Sequence, residues 1–172
     1  MNTKFKELDF DEVQNQVIEQ LKKGIFLTTQ VGQIPNTMTI AWANSGQMWG
    51  KNSFVVAVRH SRYTFELMED SEYFTVSIPR AGSLKKELGF CGTISGRDRD
   101  KFKEVGLTPS YLEDIPVPLI EECALHIVCK IAYKQAMEPS LIQADYVKQK
   151  YKTNDYHTMY HGEVIGVYES IT

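Results

Sequence analysis

Arginine and hydroxyl side chains converge on the short segment Val58–Thr64. Its polar members are Arg59, His60, Ser61, Arg62, Tyr63 and Thr64. The pattern predicts that a buried strand ends here and a helix begins, with Ser61 as the N-cap residue. The first-turn amides of a helix have no internal acceptor and the helix dipole makes that end positive, so we predict a phosphate site. The alternative is that both arginines pair with nearby carboxylates such as Glu66.

Small and hydroxyl side chains alternate with larger apolar ones along a predicted strand, Asn36–Asn44. One face carries Thr37, Thr39, Ala41 and Ala43, and the other carries Met38, Ile40 and Trp42. The first face leaves room for a flat ligand and offers hydrogen bonds to its ring heteroatoms. A threonine-rich solvent face is an equally good interpretation of the same pattern.

A third candidate segment, Phe90–Phe102, combines glycines with positive charge. Glycines allow a backbone to approach a ligand closely. The segment contains Cys91, Gly92, Ser95, Gly96, Arg97, Arg99 and Lys101. An exposed loop followed by a helix start is at least as well supported by this segment alone. Its cysteine offers a thiol, although such a cysteine is more often merely small and partly buried.

Metal and hydrolase chemistry receive no support from the remaining motifs. His157 and His161 lie four residues apart, and on a strand this spacing separates them by about 13 Å, too far to share one ion. The three cysteines form no Cys-x-x-Cys, which fits a reduced compartment. The chain has no Gly-x-Gly-x-x-Gly after a strand, no Walker phosphate loop, no His-Glu-x-x-His and no Gly-x-Ser-x-Gly.

The elements that must position these segments are mostly strands. Periodicity predicts strands over 25–31, 36–44, 53–59, 72–78, 121–134 and 156–169. It predicts helices over 12–23, capped by Asp11 and ended by Gly24, and over 61–70, 83–88, 98–105 and, weakly, 139–151. Strands without regular β-α-β alternation favour a mainly β, antiparallel barrel with peripheral helices over a doubly wound sheet.

Length and charge limit the classes of protein that this chain can represent. Its 172 residues suit one domain over 1–172. A net charge of −3 and the lack of a basic tract predict no nucleic-acid partner. No apolar run approaches the roughly 20 residues that span a bilayer, and the N-terminus lacks a secretory signal. We therefore expect a cytoplasmic protein with no membrane partner.

Taken in order, these segments resemble the flavin reductase-like family with the FMN-binding split barrel, and most closely its flavoredoxin-like branch. The resemblance spans roughly residues 25–168 and is carried by Asn36–Trp42, Trp49-Gly50, Val58–Thr64, Phe74–Pro79, Cys91–Phe102 and His157–Val164. It implies a homodimer of antiparallel split β-barrels with FMN at the subunit interface. It also implies electron transfer, usually from NADH or NADPH to flavin.

The resemblance also implies roles for individual residues. Those expected to bind FMN are Asn36, Thr37, Met38, Thr39, Ile40, Trp42, Arg59, Arg62, Tyr63, Thr64, Cys91, Gly92, Ser95, Gly96 and Lys101. The strand residues would line the isoalloxazine ring, and Arg59–Thr64 would hold the phosphate. His157 would lie near the face where nicotinamide approaches. Tyr160-His161 departs from the apolar residues usual in the family, which leaves the electron donor open.

Three functions follow from this sequence. The first is an FMN-dependent reductase that uses NADH or NADPH. The second is a flavoredoxin-type electron carrier reduced by a protein partner, and the third is an FMN-binding module without turnover. A pyridoxamine-phosphate-oxidase-like enzyme shares the barrel and cofactor, but the Asn36–Trp42 and Cys91–Phe102 segments argue against it. In each of these candidate enzymes the flavin carries the redox chemistry, so no acid–base residue is required.

Overall fold

A computed structural model describes residues 4–171 of the chain. The strands are β1 (Phe5–Glu7), β2 (Ile25–Val31), β3 (Ile34–Ile40), β4 (Ala43–Met48), β5 (Lys51–Arg59), β6 (Tyr73–Ile78), β7 (Pro109–Ser110), β8 (Leu119–Ile120), β9 (Leu125–Ala136) and β10 (His157–Ser170). The α-helices are α1 (Phe10–Leu21), α2 (Tyr63–Asp70), α3 (Lys85–Thr93), α4 (Lys101–Val105) and α5 (Asp145–Lys148).

The main sheet is antiparallel and closes on itself. Within the described residues its strands follow the order β3-β2-β6-β9-β10-β5-β4, with β1 added on β10. β3 and β4 stand at opposite ends of this order, yet only Ala41 and Trp42 separate them in the chain. The three Cα–Cα steps from Ile40 to Ala43 span no more than about 11 Å, so the sheet must curl until its ends meet. This is the predicted mainly β, antiparallel barrel, and its open seam runs beside Ala41 and Trp42.

Apolar side chains from both long strands and their neighbours fill the barrel. Phe54, Phe74, Ile127 and Tyr160 are fully buried there, and Val17 of α1 belongs to the same core. Burying such side chains contributes most of the favourable free energy of folding.

One glycine lets the two longest strands pack closely. β9 and β10 change register at Gly162, and a Cβ there would meet Cys129 Cβ and Phe74 Cζ at 2.6 Å each. Real Cβ atoms do not approach so closely, so any other residue would push the strands apart.

Several predicted element bounds are wrong. The predicted strand 36–44 is two strands, because the chain passes between the two ends of the sheet at Ala41-Trp42. α1 begins at Phe10 behind Asp9, so Asp11 does not cap it. α2 begins at Tyr63 behind Arg62, so Ser61 is not its N-cap.

The weakly predicted helix over 139–151 is only partly helical. Two 3-10 turns flank the short α5 in this segment. Among the helices of residues 4–171, none has the length and hydropathy needed to cross a membrane.

Candidate functional site

Two cavities open beside the seam of the barrel and meet at Met38 and Arg62. The β3 cavity, of about 230 Å³, is lined by Met38, Thr39, Ile40, Ala41, Trp42, Ala57, Arg59, Arg62 and His157. The α2 cavity, of about 80 Å³, is lined by Met38, Ser61, Arg62, Tyr63, Thr64, Lys101 and residues 91–97, which are the end of α3 and the loop after it. The structure therefore brings all three candidate segments of the sequence to one place.

The start of α2 faces the smaller cavity. Its first residues, Tyr63 and Thr64, line this cavity. The first amides of a helix lack the usual acceptor four residues back, although the Phe65 amide donates to the Arg62 carbonyl at 3.0 Å. The Thr64 hydroxyl is buried and accepts a hydrogen bond from Asn36 Nδ2 at 2.9 Å. Asn36 thus lies behind the helix start and positions it without lining the α2 cavity.

Lys101 brings a buried positive charge to the same cavity. The side chain is 6% exposed, and its Nζ donates to the carbonyls of Thr37 and Cys91 at 2.9 Å each. Burial lowers the pKa of the Lys101 ammonium, and the charge of Arg62 lowers it further. No carboxylate within the described residues forms an ion pair with Lys101. An ammonium uses three donors, so one N–H remains for a ligand.

The two arginines that line the α2 cavity differ in whether they form an ion pair. Arg97 pairs with Glu66 and lies over the ring of Tyr63 at 5.4 Å. Arg62 makes no ion pair with any residue of the described chain. Pairing with Glu66, the alternative raised by the sequence, therefore applies to Arg97 and not to Arg62.

The loop between α3 and α4 needs a glycine at its closest approach. A Cβ on Gly96 would lie 2.0 Å from Asn36 Oδ1 and 3.0 Å from Tyr63 Cδ1. Ser95 Oγ accepts from the Arg97 amide at 3.2 Å and shapes the turn. The loop therefore covers the α2 cavity closely.

The cysteine beside this loop is not activated. Cys91 is 2% exposed, and burial raises the pKa of its thiol to about 11. The protonated thiol is a poor nucleophile, so Cys91 shapes the cavity wall without offering reactive chemistry.

Arg59 lies in the β3 cavity, away from the start of α2. Its guanidinium donates to the backbone carbonyls of Asp155 and Lys150. It also lies 5.7 Å from the ring centroid of Trp42 and 5.1 Å from that of Tyr151. Backbone carbonyls and aromatic faces fix the side chain. It forms no ion pair within the described chain, but its charge interacts with the nearby Asp155 carboxylate.

His157 is held as a neutral imidazole in the β3 cavity. It is 5% exposed, and burial followed by the charge of Arg59 lowers its pKa to about 4. Its Nδ1 lies 2.7 Å from the Tyr151 hydroxyl. That hydroxyl has no other acceptor in the described chain, so we assign it as the donor. Nε2 then carries the proton, which makes His157 a hydrogen-bond donor.

The threonines of β3 have different surroundings. Thr37 is fully buried, and its hydroxyl contacts the Thr28 hydroxyl at 3.1 Å and donates to the Leu27 carbonyl at 3.2 Å. Thr37 therefore lines neither cavity with its side chain. Thr39 lines the β3 cavity and donates to the Leu88 carbonyl at 2.6 Å.

Two residues that support the site have no signature in the sequence. Asp155 accepts hydrogen bonds from the Ser61 amide at 3.1 Å and from its hydroxyl at 2.7 Å. Burial raises the pKa of Asp155, but these bonds and two nearby arginines outweigh it and lower the pKa overall. Tyr151, which orients His157, lies in a segment that the sequence pattern only weakly predicts to be helical. Only the fold brings residues 151 and 155 beside α2.

Within residues 4–171 no group of three histidine, cysteine or acidic side chains is placed to hold a metal ion. His157 and His161 lie on one strand, β10, as the sequence predicted. Their side chains line different cavities.

The chain belongs to the family described as the flavin reductase like domain, whose model matches residues 21–170. An uncharacterized protein of Archaeoglobus fulgidus is 30% identical over 137 residues, which are 77% of this chain and 64% of that protein. The chain thus spans less than two thirds of this relative's length.

Solved structures share the fold. An FMN-binding domain of a flavin reductases-like enzyme from Shewanella baltica has a TM-score of 0.71 at 17% identity, covering 96% of this chain and 76% of that one. Flavoredoxin of Desulfovibrio vulgaris (Miyazaki F) has a TM-score of 0.64 at 26% identity, covering 84% and 67%. The split-barrel fold predicted from the resemblance is therefore confirmed.

Proposed function

We propose that this protein is an FMN-binding oxidoreductase that takes electrons from NADH or NADPH. The observation that carries the proposal is a pair of cations at the start of α2, Arg62 and Lys101, that form no ion pair within the described chain. An uncompensated buried ammonium is costly, and a phosphate monoester, with roughly −1.5 to −2 charge, offsets that cost. Membership of the flavin reductase like family supports FMN as the source of this ester.

The two cavities fit the two chemical halves of FMN. The α2 cavity offers Arg62, Lys101 and the amides of Tyr63 and Thr64 to a phosphate. The β3 cavity offers the strand end Met38–Trp42 to a flat ring. Because the cavities meet at Met38 and Arg62, one ligand can occupy both.

The residues of the chain bind and orient, and bound FMN supplies hydride and electron transfer. Arg59 places positive charge in the β3 cavity and would stabilise negative charge on a ring held there. His157 offers an N–H from Nε2 and remains uncharged at neutral pH. Trp42 covers one side of the cavity, with its ring centroid 5.2 Å from that of His157.

A flavoredoxin-type carrier, reduced by a protein partner, is the second candidate. Trp42 is 44% exposed at the edge of the β3 cavity, which suits contact with another protein. The likeness to the flavoredoxin of Desulfovibrio vulgaris supports this candidate.

We also propose that two copies of the chain associate. The two-residue turn between β4 and β5 places Trp49 at φ 53°, where a bulky residue is strained, and leaves it 64% exposed. Tyr133 and His161 contact its ring, and His161 Nδ1 is buried without a hydrogen-bond partner in the described chain. An exposed aromatic cluster with an unsatisfied polar atom is typical of an interface. Sedimentation equilibrium of the wild type and Trp49→Ala tests this association.

One anaerobic titration tests the function. Protein is loaded with FMN, freed of excess cofactor and mixed with NADH, NADPH or a reduced ferredoxin, while flavin absorbance is followed. Bleaching by a nicotinamide nucleotide supports the reductase, and bleaching only by the reduced protein supports the carrier. Failure to retain FMN would refute both.

A further inference from the structure

A third cavity lies behind β3, outside the site described above. It has a volume of about 300 Å³, and its lining includes Gln20, Lys23, Thr39, Ser83, Lys85 and Leu88. Thr39 lines this lysine cavity and the β3 cavity alike. A ligand in the lysine cavity would therefore be separated from the β3 cavity by a single side chain.

The charge in this cavity is entirely positive. Lys23 follows the end of α1, and Lys85 is the first residue of α3. Neither lysine forms an ion pair with any carboxylate in residues 4–171. No acidic residue of the described chain lines the cavity. The nine-residue helix α3 adds its N-terminal amides to the same side.

A buried amide supplies independent evidence for a ligand. Gln20 is 6% exposed, and its side chain has no hydrogen-bond partner in the described part of the chain, although it lines the cavity. Its amide atoms are not among the fully enclosed, unpartnered polar atoms of the described residues, so they face the cavity and not the protein interior. An amide left open toward a cavity with two lysines is ready to donate to an anion.

We propose that the lysine cavity binds the phosphate monoester of a reduced nicotinamide dinucleotide, so that the protein prefers NADPH to NADH. Two lysines match the roughly −1.5 to −2 charge of a monoester better than the single charges of a diester. Thr39 links the cavity to the β3 cavity, where the nicotinamide would react. The inference rests on the proposed reductase function for its choice of ligand.

A binding experiment separates this inference from the reductase function. Adenosine 2′,5′-bisphosphate carries the monoester but no nicotinamide, and adenosine 5′-monophosphate lacks the 2′-phosphate. We expect the FMN-loaded wild type to bind the bisphosphate at least about tenfold more tightly, as charge-assisted hydrogen bonds require. Calorimetry measures both constants without any turnover, so the result stands even if neither nucleotide bleaches the flavin.

The variants test whether this cavity carries the preference. Lys23→Gln with Lys85→Gln should remove the tenfold difference, and Gln20→Glu, which places an acid in the cavity at equal size, should do the same. Lys22→Gln with Lys86→Gln is the matched control, because it removes equal charge from adjacent residues that do not line the cavity.

Kinetics supplies the second readout. The Lys23→Gln, Lys85→Gln variant should raise KM for NADPH by about tenfold and leave kcat and the KM for NADH unchanged. Equal binding of the two adenosine nucleotides by the wild type would overturn the inference. So would an equal loss in the control variant, or displacement of the bisphosphate by inorganic phosphate at comparable concentration.

Discussion

Two groups of cations lie at or beside the α2 cavity, and they differ in the ion pairs that they form within the folded chain. Arg97 and Arg99 are exposed and form ion pairs with Glu66 and Glu104. Arg62 and Lys101 form no ion pair among residues 4–171, and Lys101 is buried. Charge without a partner in the folded chain is charge available to a ligand. Residues 97–101 therefore contribute both paired cations in a loop and an unpaired one at the start of α4.

Replacing the buried ammonium should have the largest effect. Lys101→Met keeps the length of the side chain and removes its charge, so the FMN dissociation constant should rise about 50-fold, as expected for a lost hydrogen bond to a charged group. Fluorescence titration with FMN measures this change. Lys103→Met, on the exposed side of the same helix, is the control and should leave the constant unchanged.

The stability of the protein without FMN provides a further check on Lys101→Met. The substitution leaves the Thr37 and Cys91 carbonyls without a donor but also removes a buried, uncompensated charge. These effects oppose each other, so urea midpoints without FMN should differ little. A variant that unfolds without FMN would show that Lys101 is structural.

The second cation should matter less because it is exposed. Arg62→Ala should raise the FMN dissociation constant about tenfold, consistent with one charge-assisted contact. Combining it with Thr64→Ala should weaken FMN further, but that change also leaves the buried Asn36 amide unsatisfied. Thr64→Ser keeps the hydroxyl and separates the two causes. Unchanged FMN affinity in the Arg62→Ala, Thr64→Ala double variant would contradict the assignment.

The neutral imidazole of His157 should have a smaller effect, which is on the pH dependence of the protein's stability. The pKa of His157 in the folded protein is about 4, below its ordinary value of about 6.5. The unfolded chain therefore binds a proton first, and stability present above pH 6.5 is lost as the pH falls toward 4. Buried His126, with a pKa of about 3, adds to the same trend.

His157→Gln isolates the share of one histidine. Urea unfolding between pH 7 and 4 should show about one proton fewer taken up on unfolding than in the wild type. An unchanged pH dependence would mean that His157 titrates normally in the folded protein.

The smallest effect is expected from the paired cations. Arg97→Ala should change the FMN dissociation constant by less than about twofold, because an exposed ion pair contributes little. A loss as large as that of Arg62→Ala would remove the distinction between the two groups of cations.

The strand pattern was sufficient to predict most of the barrel. β2 has the predicted bounds, and β5, β6, β9 and β10 overlap their predicted ranges, because alternation and β-branched residues are local properties. The pattern could not show that 36–44 is two strands. Alternation continues through Ala41-Trp42, and only the meeting of the sheet's two ends breaks the pairing there.

The sequence predicted which segments form the candidate site, but it did not predict that the site is divided between two cavities. Sequence reasoning placed Arg59 and Arg62 at one anion site, since they are three residues apart. The structure separates them, because Arg59 is the last residue of β5 and Arg62 precedes α2. The placement of Tyr151 beside His157 had no counterpart in the sequence, since their contact depends on the path of residues 137–156.

The sequence by itself determined the strands, the family and the segments that meet at the site, since residue type and spacing fix local conformation and chemistry. Only the tertiary structure decided which cations remain unpaired. The sequence gives the charge of each side chain, but its ion-pair partners are often distant in the chain, as Glu66 is from Arg97. Burial of Lys101, and of Gln20 in the lysine cavity, likewise arises only when separate elements pack together.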